Sequence, residues 1–402
     1  MHDFAWTPWF AEGAIWLART MMALTAASLV YLLLALAATW SYRLSRRGAL
    51  AAPTGFAPAV SVLKPLKGDD PSLLEALRSH CTQEYAGEYE VLCGVSSLDD
   101  PAASTVRQIQ AEFPERSIRL IVCSERLGAS GKVSNLIQMA CAAKHDFLLI
   151  NDGDIRVSRR YLERVMGEFA RPQKHHGAVG MVTALYRGRA EGGLWSRVEA
   201  LTIATDFQPG VLASRLVERG IHFGLGSTLA VRRDALDAAG GLESLADELA
   251  DDYEMGARID RAGYAILLAP EVVETGVPAY RWRGFWAHQL RWARTVRDSR
   301  RWGYVGLLFT HTLPLALAGV IASGASLWSV WLLALGLCLR LGLAMQVGVG
   351  VLGDRQVFRD LWLLPLRDLV AFALWVASFA SNEIEWRGER FVLKNGTLTP
   401  IE

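Results

Sequence analysis

The chain has 402 residues, of which 51% are hydrophobic and 21% charged, and its formal net charge is +1. A mean hydropathy of +0.20 with this charge content excludes a disordered chain and fits poorly with a wholly soluble protein. The near-zero net charge argues against a nucleic-acid-binding protein, which would carry a basic surplus. The five cysteines show neither metal-site nor paired spacing, which indicates reduced thiols in the cytosol.

The first predicted element is a membrane-spanning helix. Residues 20–42 contain no charged side chain, and about 20 apolar residues are enough to cross a bilayer. The run is too long for the apolar core of a cleaved signal peptide, and its charges follow it rather than precede it. Because those charges are Arg43, Arg46 and Arg47, the positive-inside rule makes this end cytoplasmic. We therefore predict a transmembrane helix within residues 1–45, followed by a cytoplasmic polar region.

Residues 57–280 are predicted to form an α/β domain. Short runs that are apolar throughout alternate with helical patterns, which indicates a parallel sheet covered by helices on both faces. Asp70 is expected to cap a helix that has Pro71 at its first position. The predicted strands are 60–63, 89–95, 118–123 and 147–150, and the predicted helices include 102–113 and 132–143. In such sheets ligands bind at the carboxyl ends of the strands, so the residues that follow them are candidates for a site.

Polar residues follow the second and third of these strands. Asp100 comes before Pro101 after the second strand, and Lys132 comes after the third, behind a glycine loop at 128–131. Each is ambiguous by itself, because Asp-Pro is also typical of a helix cap and glycine loops often precede helices. At the edge of one sheet, however, they would offer a ligand both an acidic and a basic group.

The fourth strand is followed by Asp152, Gly153 and Asp154. Two carboxylates at i and i+2 beyond a buried strand can point the same way, and the glycine lets a ligand approach the backbone. Such oxygen ligands suit Mg²⁺ or Mn²⁺, which often bridge carboxylates to a diphosphate. The alternative is a solvated turn with local hydrogen bonds. The position after this series of strands favours the metal site.

A second acidic cluster opens a helix that is predicted to end near Gly263. Its members are Asp247, Glu248, Asp251, Asp252 and Glu254. One interpretation is ordinary helix chemistry, because the helix dipole favours carboxylates at the N-terminus. The number of acids exceeds what capping requires, and crowding raises the pKa of at least one carboxyl group. A raised pKa suits a general base that acts near neutral pH.

Residues 281–302 interleave arginine and tryptophan just before the next apolar segments. This pattern predicts an interfacial amphipathic helix whose arginines reach the headgroups. On that helix, Arg291 and Trp292 are expected to face the α/β domain. There an arginine can neutralise a diphosphate and an indole can pack on a sugar or a lipid.

Residues 303–381 are predicted to return to the membrane. The uncharged stretch 302–339 is too long for one crossing and suggests a hairpin that turns at 323–326, and a third segment follows at 361–381. Four full crossings would place the tail, residues 382–402, outside, yet the tail carries Arg387, Arg390 and Lys394. Either the last segment is re-entrant or interfacial, or the tail lies outside despite its charge. We expect a cytoplasmic tail.

With these residues in view, nearly the whole chain resembles the membrane glycosyltransferases of the ceramide glucosyltransferase type, family 21. The resemblance implies an α/β, A-type nucleotide-sugar (Rossmann-like) glycosyltransferase domain with flanking transmembrane helices. The matching motifs are Lys64-Pro65-Leu66-Lys67-Gly68, the Asp-Asp-Pro at Asp100, the lysine loop before Asn135-Leu136, Asp152 with Ile155-Arg156-Val157, Asp251-Asp252-Tyr253, Arg291-Trp292 and Glu385-Trp386-Arg387-Gly388.

The resemblance also implies roles for single residues. Asp252 matches the catalytic base of the family, and Asp100 matches the aspartate that helps to hold uridine. His288 departs from the family, which has glutamine or arginine at that position of the Arg-Trp motif. The implied nucleotide-sugar-binding residues are Asp100, Lys132, Asp152, Arg291 and Trp292, and the implied ligands of Mg²⁺ or Mn²⁺ are Asp152 and Asp154.

The implied reaction is an inverting transfer of a sugar from a UDP-sugar to the hydroxyl group of a membrane lipid. The wording of several motifs is most similar to bacterial hopanoid-biosynthesis glycosyltransferases, which implies UDP-N-acetylglucosamine, bacteriohopanetetrol and a bacterial inner membrane. Transfer from UDP-glucose to ceramide is the alternative. A transporter would show more spans and internal repeats, and a processive polysaccharide synthase would need a longer transmembrane channel.

Overall fold

The computed structural model describes residues 8–51, 54–172, 177–386, 389–394 and 397–400. The chain forms two compact units. The sheet unit comprises Tyr42–Gly192, Ser214–Ala279 and Glu383–Glu402, and the helical unit comprises Met1–Ser41, Gly193–Ala213 and Tyr280–Asn382. A stretch inside the predicted 57–280 domain thus groups with the apolar helices, whereas the tail groups with the sheet.

The sheet unit is built on a seven-stranded sheet of order β3-β2-β1-β4-β6-β5-β7. Its strands are β1 Val60–Pro65, β2 Tyr89–Val95, β3 Ile118–Val122, β4 Phe147–Ile150, β5 Val179–Ala190, β6 Leu229–Arg232 and β7 Ala265–Val277. The first four pair in parallel, as predicted, whereas β6 runs antiparallel to both β4 and β5. The sheet is therefore mixed, with the α/β fold that the sequence predicts.

Helices pack around this sheet and bury most side chains of its central strands β1, β2 and β4. The helices of the sheet unit are α2 Leu73–Cys81, α3 Pro101–Glu112, α4 Gly131–Ala142, α5 Tyr161–Met166, α8 Arg233–Ala238 and α9 Asp251–Arg261. Side chains of the strands such as Val62, Val91 and Leu149 are fully buried among them. Burial of this kind is the main favourable contribution to folding.

The start of α2 differs from the prediction. The helix begins at Leu73 with Ser72 at its N-cap, and Pro71 lies in the preceding turn. Asp70 Oδ1 accepts hydrogen bonds of 2.8 Å from both the backbone N–H and the hydroxyl of Ser72. Asp70 therefore stabilises a turn before the helix rather than the helix end, because aspartate readily bonds the backbone two residues onward.

The tail of the chain forms a small antiparallel sheet of order β10-β9-β8 within the sheet unit. Its strands are β8 Glu383–Trp386, β9 Glu389–Lys394 and β10 Thr397–Pro400. The buried residues Ile384, Phe391 and Leu393 form an apolar cluster with Leu249, which precedes α9. The motif residues Arg387 and Gly388 lie outside the described residues.

The helical unit contains the apolar segments. Within the described ranges, three helical stretches are long and apolar enough to cross a membrane, namely Glu12–Ala51, Leu327–Val349 and Arg355–Ser378. The pair Arg301–Thr310 and Thr312–Ala322 is bent by 58°. The helices outside the sheet unit or extending beyond it are α1 Pro8–Ala51, α6 Gly193–Thr202, α7 Gln208–Val217, α10 Trp282–Ser299, α11 Arg301–Gly306, α12 Thr312–Ala322, α13 Leu327–Ala344, α14 Arg355–Asp360 and α15 Leu364–Ser378. The predicted turn at 323–326 lies between α12 and α13.

Charged side chains inside the apolar helices pair with one another. Arg340 on α13 donates to Asp368 on α15 at 2.9 and 3.1 Å, and Arg367 donates to the same carboxylate at 2.7 Å. Arg367 also pairs with Asp206, and Arg340 donates to the carbonyl of Thr205 at 2.5 Å. Mutual pairing explains how an apolar segment accommodates these charges, since an unpaired buried charge is strongly unfavourable.

Candidate active site

The carboxyl ends of β1, β2 and β4 meet at one edge of the sheet. Asp100 follows β2 and is the N-cap of α3, where its Oδ1 accepts from the Ala102 backbone N–H at 2.9 Å. The same oxygen accepts from the Gly68 backbone N–H at 2.8 Å. Asp100 therefore caps a helix, as the alternative interpretation held, and also fixes the loop that follows β1. Its contact with uridine stays a prediction.

Lys132 lies among the carboxylates at this edge. It is the second residue of α4, and its Nζ lies 2.9 Å from Asp152 Oδ1 and 3.2 Å from Asp251 Oδ2. Burial opposes the charge of Lys132, but the nearby charges of Asp152, Asp251 and Asp252 outweigh it and raise the pKa of the ammonium group. Lys132 is therefore a permanent cation at the centre of the acidic residues.

The glycine loop places Lys132 among these carboxylates because it is hydrogen-bonded to the start of the second acidic cluster. The Ser130 backbone N–H donates to the Ala246 carbonyl at 2.8 Å, and the Ala129 N–H donates to Asp247 Oδ1 at 2.8 Å. A β-carbon added at Gly128 would lie 2.5 Å from the Ala246 carbonyl oxygen. Only glycine allows so close an approach of two backbone segments.

A hydrogen bond with Gly226 brings the Asp252 carboxylate close to that of Asp152. Its Oδ2 accepts from the Gly226 backbone N–H at 2.8 Å, and its Oδ1 accepts from the Tyr253 N–H at 2.8 Å. A β-carbon added at Gly226 would lie 2.9 Å from Asp252 Oδ2 and 3.6 Å from Asp152 Oδ2. The carboxylates of Asp152 and Asp252, separated by 100 residues in sequence, therefore flank the same glycine.

The environment of Asp252 makes it more basic than an ordinary aspartate. Burial, followed by the negative charge of Asp251, raises the pKa of Asp252 to about 6, although the charge of Lys132 acts in the opposite direction. The sequence predicts at least one carboxyl group of raised pKa in this cluster. Burial raises the pKa of Glu248 as well, but of these two carboxyl groups it is Asp252 that lies beside Asp152 at Gly226. A carboxylate with this pKa is ionised at neutral pH and still accepts a proton readily.

Asp154 is held differently from Asp152. Its Oδ2 accepts from the Gly276 backbone N–H at 2.9 Å and from the Thr275 hydroxyl, which ties the loop after β4 to the end of β7. Burial, followed by the charge of Asp152, raises the pKa of Asp154. Thr275 and Gly276 are partners that sequence reasoning missed, because no local pattern shows which strand lies beside the loop.

These contacts do not fit the predicted two-carboxylate metal site as it stands. One oxygen of Asp152 is bound to Lys132, and one oxygen of Asp154 is bound to Thr275 and Gly276. Among the residues that the structure describes, no three His, Cys, Asp or Glu side chains are grouped to hold a metal ion. Asp152, which is 43% exposed, offers an oxygen to a ligand, whereas the Asp154 carboxylate is fixed to the end of β7 through its Oδ2. Binding of Mg²⁺ or Mn²⁺ by this pair stays a prediction.

A cavity of about 500 Å³ opens at this edge of the sheet. Its walls include Lys132, Asp152 and Asp154, together with Asn135 at the side and Phe391 of the tail. A volume of this size suits a small-molecule ligand. Phe391 is a wall residue that the sequence does not reveal, since nothing in the local pattern of the tail shows that it folds back onto the sheet.

A network of buried polar side chains contacts Asn151 and Asp152, the first residues after β4. Lys64, at the end of β1, has no exposed surface, and its Nζ donates to the Asp152 backbone carbonyl at 2.5 Å. Asn151 Oδ1 accepts from His80 Nε2 at 3.1 Å, and Asn151 Nδ2 donates to the Tyr161 hydroxyl at 2.9 Å. Burial lowers the pKa of Lys64 to about 8 and, with the charge of Lys64, that of His80 to about 3.

Arg291 and Trp292 belong to α10 in the helical unit. Arg291 lies 3.4 Å from the His288 ring nitrogen Nδ1, and the rings of His288 and Trp292 are 4.9 Å apart. His288 Nε2 also lies 3.4 Å from Glu199, whereas Gln289 is buried. His288 thus contacts both motif residues although it departs from the family pattern. The place of Arg291 and Trp292 at a bound substrate stays a prediction.

The structure has a seven-stranded α/β sheet with a cluster of cationic and acidic side chains at the carboxyl ends of its strands. The sequence predicts this arrangement for a glycosyltransferase. Residues 20–399 match Glycosyl transferase family 21, and the chain belongs to this family. The predicted family, the fold class and the class of enzyme are thereby confirmed.

Individual relatives are similar over part of the chain. Ceramide glucosyltransferase 3 of Caenorhabditis elegans is 26% identical over 207 residues, which is 52% of this chain and 44% of the relative. Beta-monoglucosyldiacylglycerol synthase of Trichormus variabilis is 28% identical over 245 residues, or 60% of this chain and 49% of the relative. The chain spans about half the length of these curated relatives.

Among solved structures, a mannosyltransferase from Pyrobaculum calidifontis in complex with GDP-Man and Mn²⁺ is similar over 89% of this chain and 97% of that chain. Its sequence identity is 20% and the TM-score is 0.48.

A substitution of Lys64 tests whether its hydrogen bond positions the backbone of Asp152. We expect Lys64→Met to fill the same space but to release the Asp152 carbonyl, and so to lower kcat for sugar transfer by up to about 100-fold, because small misplacements of reacting groups are costly. Turnover, KM and the melting temperature would be measured together. Lys144→Met, which removes an exposed lysine, is the matched control. Unchanged kcat in a folded Lys64→Met protein would contradict a positioning role.

Proposed function

We propose that this chain transfers a sugar from a nucleotide-sugar, expected to be a UDP-sugar, to the hydroxyl group of a membrane lipid. The observation that carries the proposal is the convergence of Lys132, Asp152, Asp251 and Asp252 at one edge of the sheet. The part of the same chain that the structure describes has three helices apolar enough to cross a membrane. A polar transfer site and membrane segments in one chain suit a water-soluble donor and a lipid acceptor.

Asp252 is proposed as the general base. Its raised pKa, to about 6, allows it to take the proton of an acceptor hydroxyl as the oxygen attacks the anomeric carbon of the sugar. Attack from the face opposite the nucleotide breaks the bond from the anomeric carbon to the diphosphate in one displacement. The configuration of the sugar is therefore inverted.

Lys132 is proposed to stabilise the departing diphosphate. Its ammonium group is a permanent cation at the cavity wall, 2.9 Å from Asp152. A fixed positive charge aimed at developing negative charge lowers the barrier without rearrangement of the protein. By the family resemblance, Arg291 and Trp292 add a second cation and an aromatic surface, and Asp100 contacts the uridine.

Two pairs of substrates remain candidates. Motif wording favours UDP-N-acetylglucosamine as donor and a hopanoid polyol such as bacteriohopanetetrol as acceptor. The names of the relatives, a ceramide glucosyltransferase and a glucosyldiacylglycerol synthase, favour glucose and a ceramide or diacylglycerol. Each acceptor presents a hydroxyl group above an apolar body. We propose the first pair and keep transfer of glucose to ceramide as the alternative.

The packing of the tail limits the number of times that the chain can cross a membrane. Because Phe391 and Leu393 pack against Leu249, the tail belongs on the same side of a membrane as the sheet unit. An even number of crossings must then lie between residues 280 and 382. We propose that 327–349 and 355–378 cross, that the bent pair 301–322 enters and leaves on one side, and that the tail is cytoplasmic in a bacterial inner membrane.

The general base is tested by Asp252→Asn. We expect this change to lower turnover by about 100-fold or more, because the amide cannot accept the proton at neutral pH. The melting temperature is measured as well, since the amide also gives up one of the two backbone N–H bonds that the carboxylate accepts. The matched control is Glu254→Gln, since Glu254 lies in the same acidic cluster but pairs with Arg258 and Arg261. Retained turnover in folded Asp252→Asn protein would defeat the assignment.

The pH dependence follows from the same group. Asp252 acts only when it is ionised, so the rate under limiting substrate should be level above about pH 7, half-maximal near pH 6 and fall about tenfold for each unit well below pH 6. The measurement is the rate of lipid product from pH 4.5 to pH 8. A rate that stays level down to pH 4.5 would show that no group of this pKa has to be ionised.

Topology is tested by labelling single cysteines in intact cells with a membrane-impermeant maleimide. In a background with Cys141 and Cys338 changed to serine, we expect Arg355→Cys to be labelled and Gly324→Cys and Glu383→Cys to be protected. This pattern corresponds to two crossings between the sheet unit and the tail. Labelling of Glu383→Cys from outside would contradict the cytoplasmic tail, with all three labelled after lysis as the control.

A further inference from the structure

A second cavity lies in the sheet unit, apart from the residues of the candidate active site. It has a volume of about 670 Å³ and is formed by the end of α1, the segment before residue 172, the loop after α7 and the start of β7. The polar residues of its wall include Tyr42, Arg46, Arg171, Arg215, Arg219 and His222. Neither the family resemblance nor the proposed reaction uses this cavity.

The charge of the wall is predominantly positive. Among the residues that the structure describes, four arginines line the cavity, and the lining carboxylates are those of Glu168 and Asp260. Glu168 Oε1 accepts from Arg171 at 2.7 Å, and Asp260 Oδ1 lies 2.9 Å from His222 Nδ1. Glu168 therefore has an arginine partner and Asp260 an imidazole partner, and the arginines of the wall outnumber its carboxylates.

Arg215 is the arginine whose position most favours an anionic ligand. In the described part of the chain its contacts are with neutral groups: it donates to the Ser45 hydroxyl at 3.1 Å, and its guanidinium lies 5.6 Å from the centre of the Tyr42 ring. Burial lowers the pKa of Arg215. A half-buried cation among neutral groups gains from an anion that restores the solvation it has lost.

The part of α1 that lines the cavity directly follows the uncharged residues 20–41 of the same helix. Tyr42, Ser45, Arg46 and Ala49 continue the same helix as the apolar span and follow Trp40, which is 57% exposed. At about 1.5 Å per residue they extend no more than about 15 Å beyond Trp40. Tryptophan is typical of the membrane interface, and arginines just beyond it attract anionic lipids.

We propose that this cavity binds a phosphate group, and specifically the phosphate of an anionic phospholipid from the cytoplasmic leaflet. Arginine is well suited to this ligand because its guanidinium makes paired hydrogen bonds with phosphate oxygens. A soluble phosphate ester shares the same chemistry, and the test separates the two sources. The site is independent of the proposed sugar transfer.

The experiment measures the melting temperature of the purified full-length protein in detergent while a lipid is added. The probes are phosphatidylglycerol, phosphatidylcholine and inorganic phosphate. We expect phosphatidylglycerol to raise the melting temperature in a saturable way and phosphatidylcholine not to do so. In Arg215→Gln, the concentration for half of the effect should rise about tenfold, as for the loss of one charge-assisted hydrogen bond.

Two further variants make the result decisive. Arg219→Gln changes an exposed lining residue and should also weaken the effect, which keeps the test valid if Arg215→Gln does not fold. Arg47→Gln removes an exposed arginine of α1 outside the cavity wall and should leave the effect unchanged. Saturable stabilisation by inorganic phosphate alone, lost in the cavity variants, would overturn the lipid source and assign a soluble ligand. If phosphatidylglycerol raises the melting temperature equally in all three variants, or does not raise it in any of them, the proposed site is overturned.

Discussion

One electrostatic constraint governs the candidate active site: Asp152, Asp251 and Asp252 stay close together because the Lys132 ammonium lies among them. Lys132 Nζ is 2.9 Å from Asp152 and 3.2 Å from Asp251. Without this cation, three neighbouring carboxylates would repel one another and take up protons. With it, the raised pKa of Lys132 keeps a cation at the cavity wall, while burial and Asp251 still raise the pKa of Asp252 to about 6. The pairing of Lys132 with Asp152 and Asp251 thus gives Asp252, whose pKa is raised, a different chemical role from that of Asp152.

The backbone serves this constraint by bringing distant segments into contact. The loop at 128–131 binds residues 246 and 247 through two backbone N–H groups, which places the start of α4 beside the start of α9. Gly226 donates to Asp252 where a side chain would collide with it. Lys64 supports Asp152 from below through its carbonyl group. The cluster therefore depends on close approaches of main chain as much as on the acids and the lysine.

Much of this arrangement can be predicted from the sequence, because apolar strands followed by polar residues place those residues at one edge of a parallel sheet. The four strands β1 to β4 and the meeting of Lys132 with Asp152 follow from that rule. The antiparallel direction of β6, the bonds of Asp154 with Thr275 and Gly276, and the return of Phe391 to the cavity do not. They arise from contacts between segments far apart in the chain, and local periodicity carries no information on such contacts. The buried Lys64 did leave a signal, a lysine within an apolar strand, whose meaning emerges only when its partner is seen.

The account as a whole depends on the transfer of one sugar to a lipid. The most direct measurement is mass spectrometry of lipid products after purified protein is incubated with UDP-N-acetylglucosamine or UDP-glucose and with a hopanoid polyol, a ceramide or a diacylglycerol. The account predicts a product heavier than its acceptor by a single sugar, with N-acetylglucosamine on the hopanoid polyol as the preferred pair. Absence of any glycosylated lipid from active, folded protein, or formation of a polymer, would contradict it.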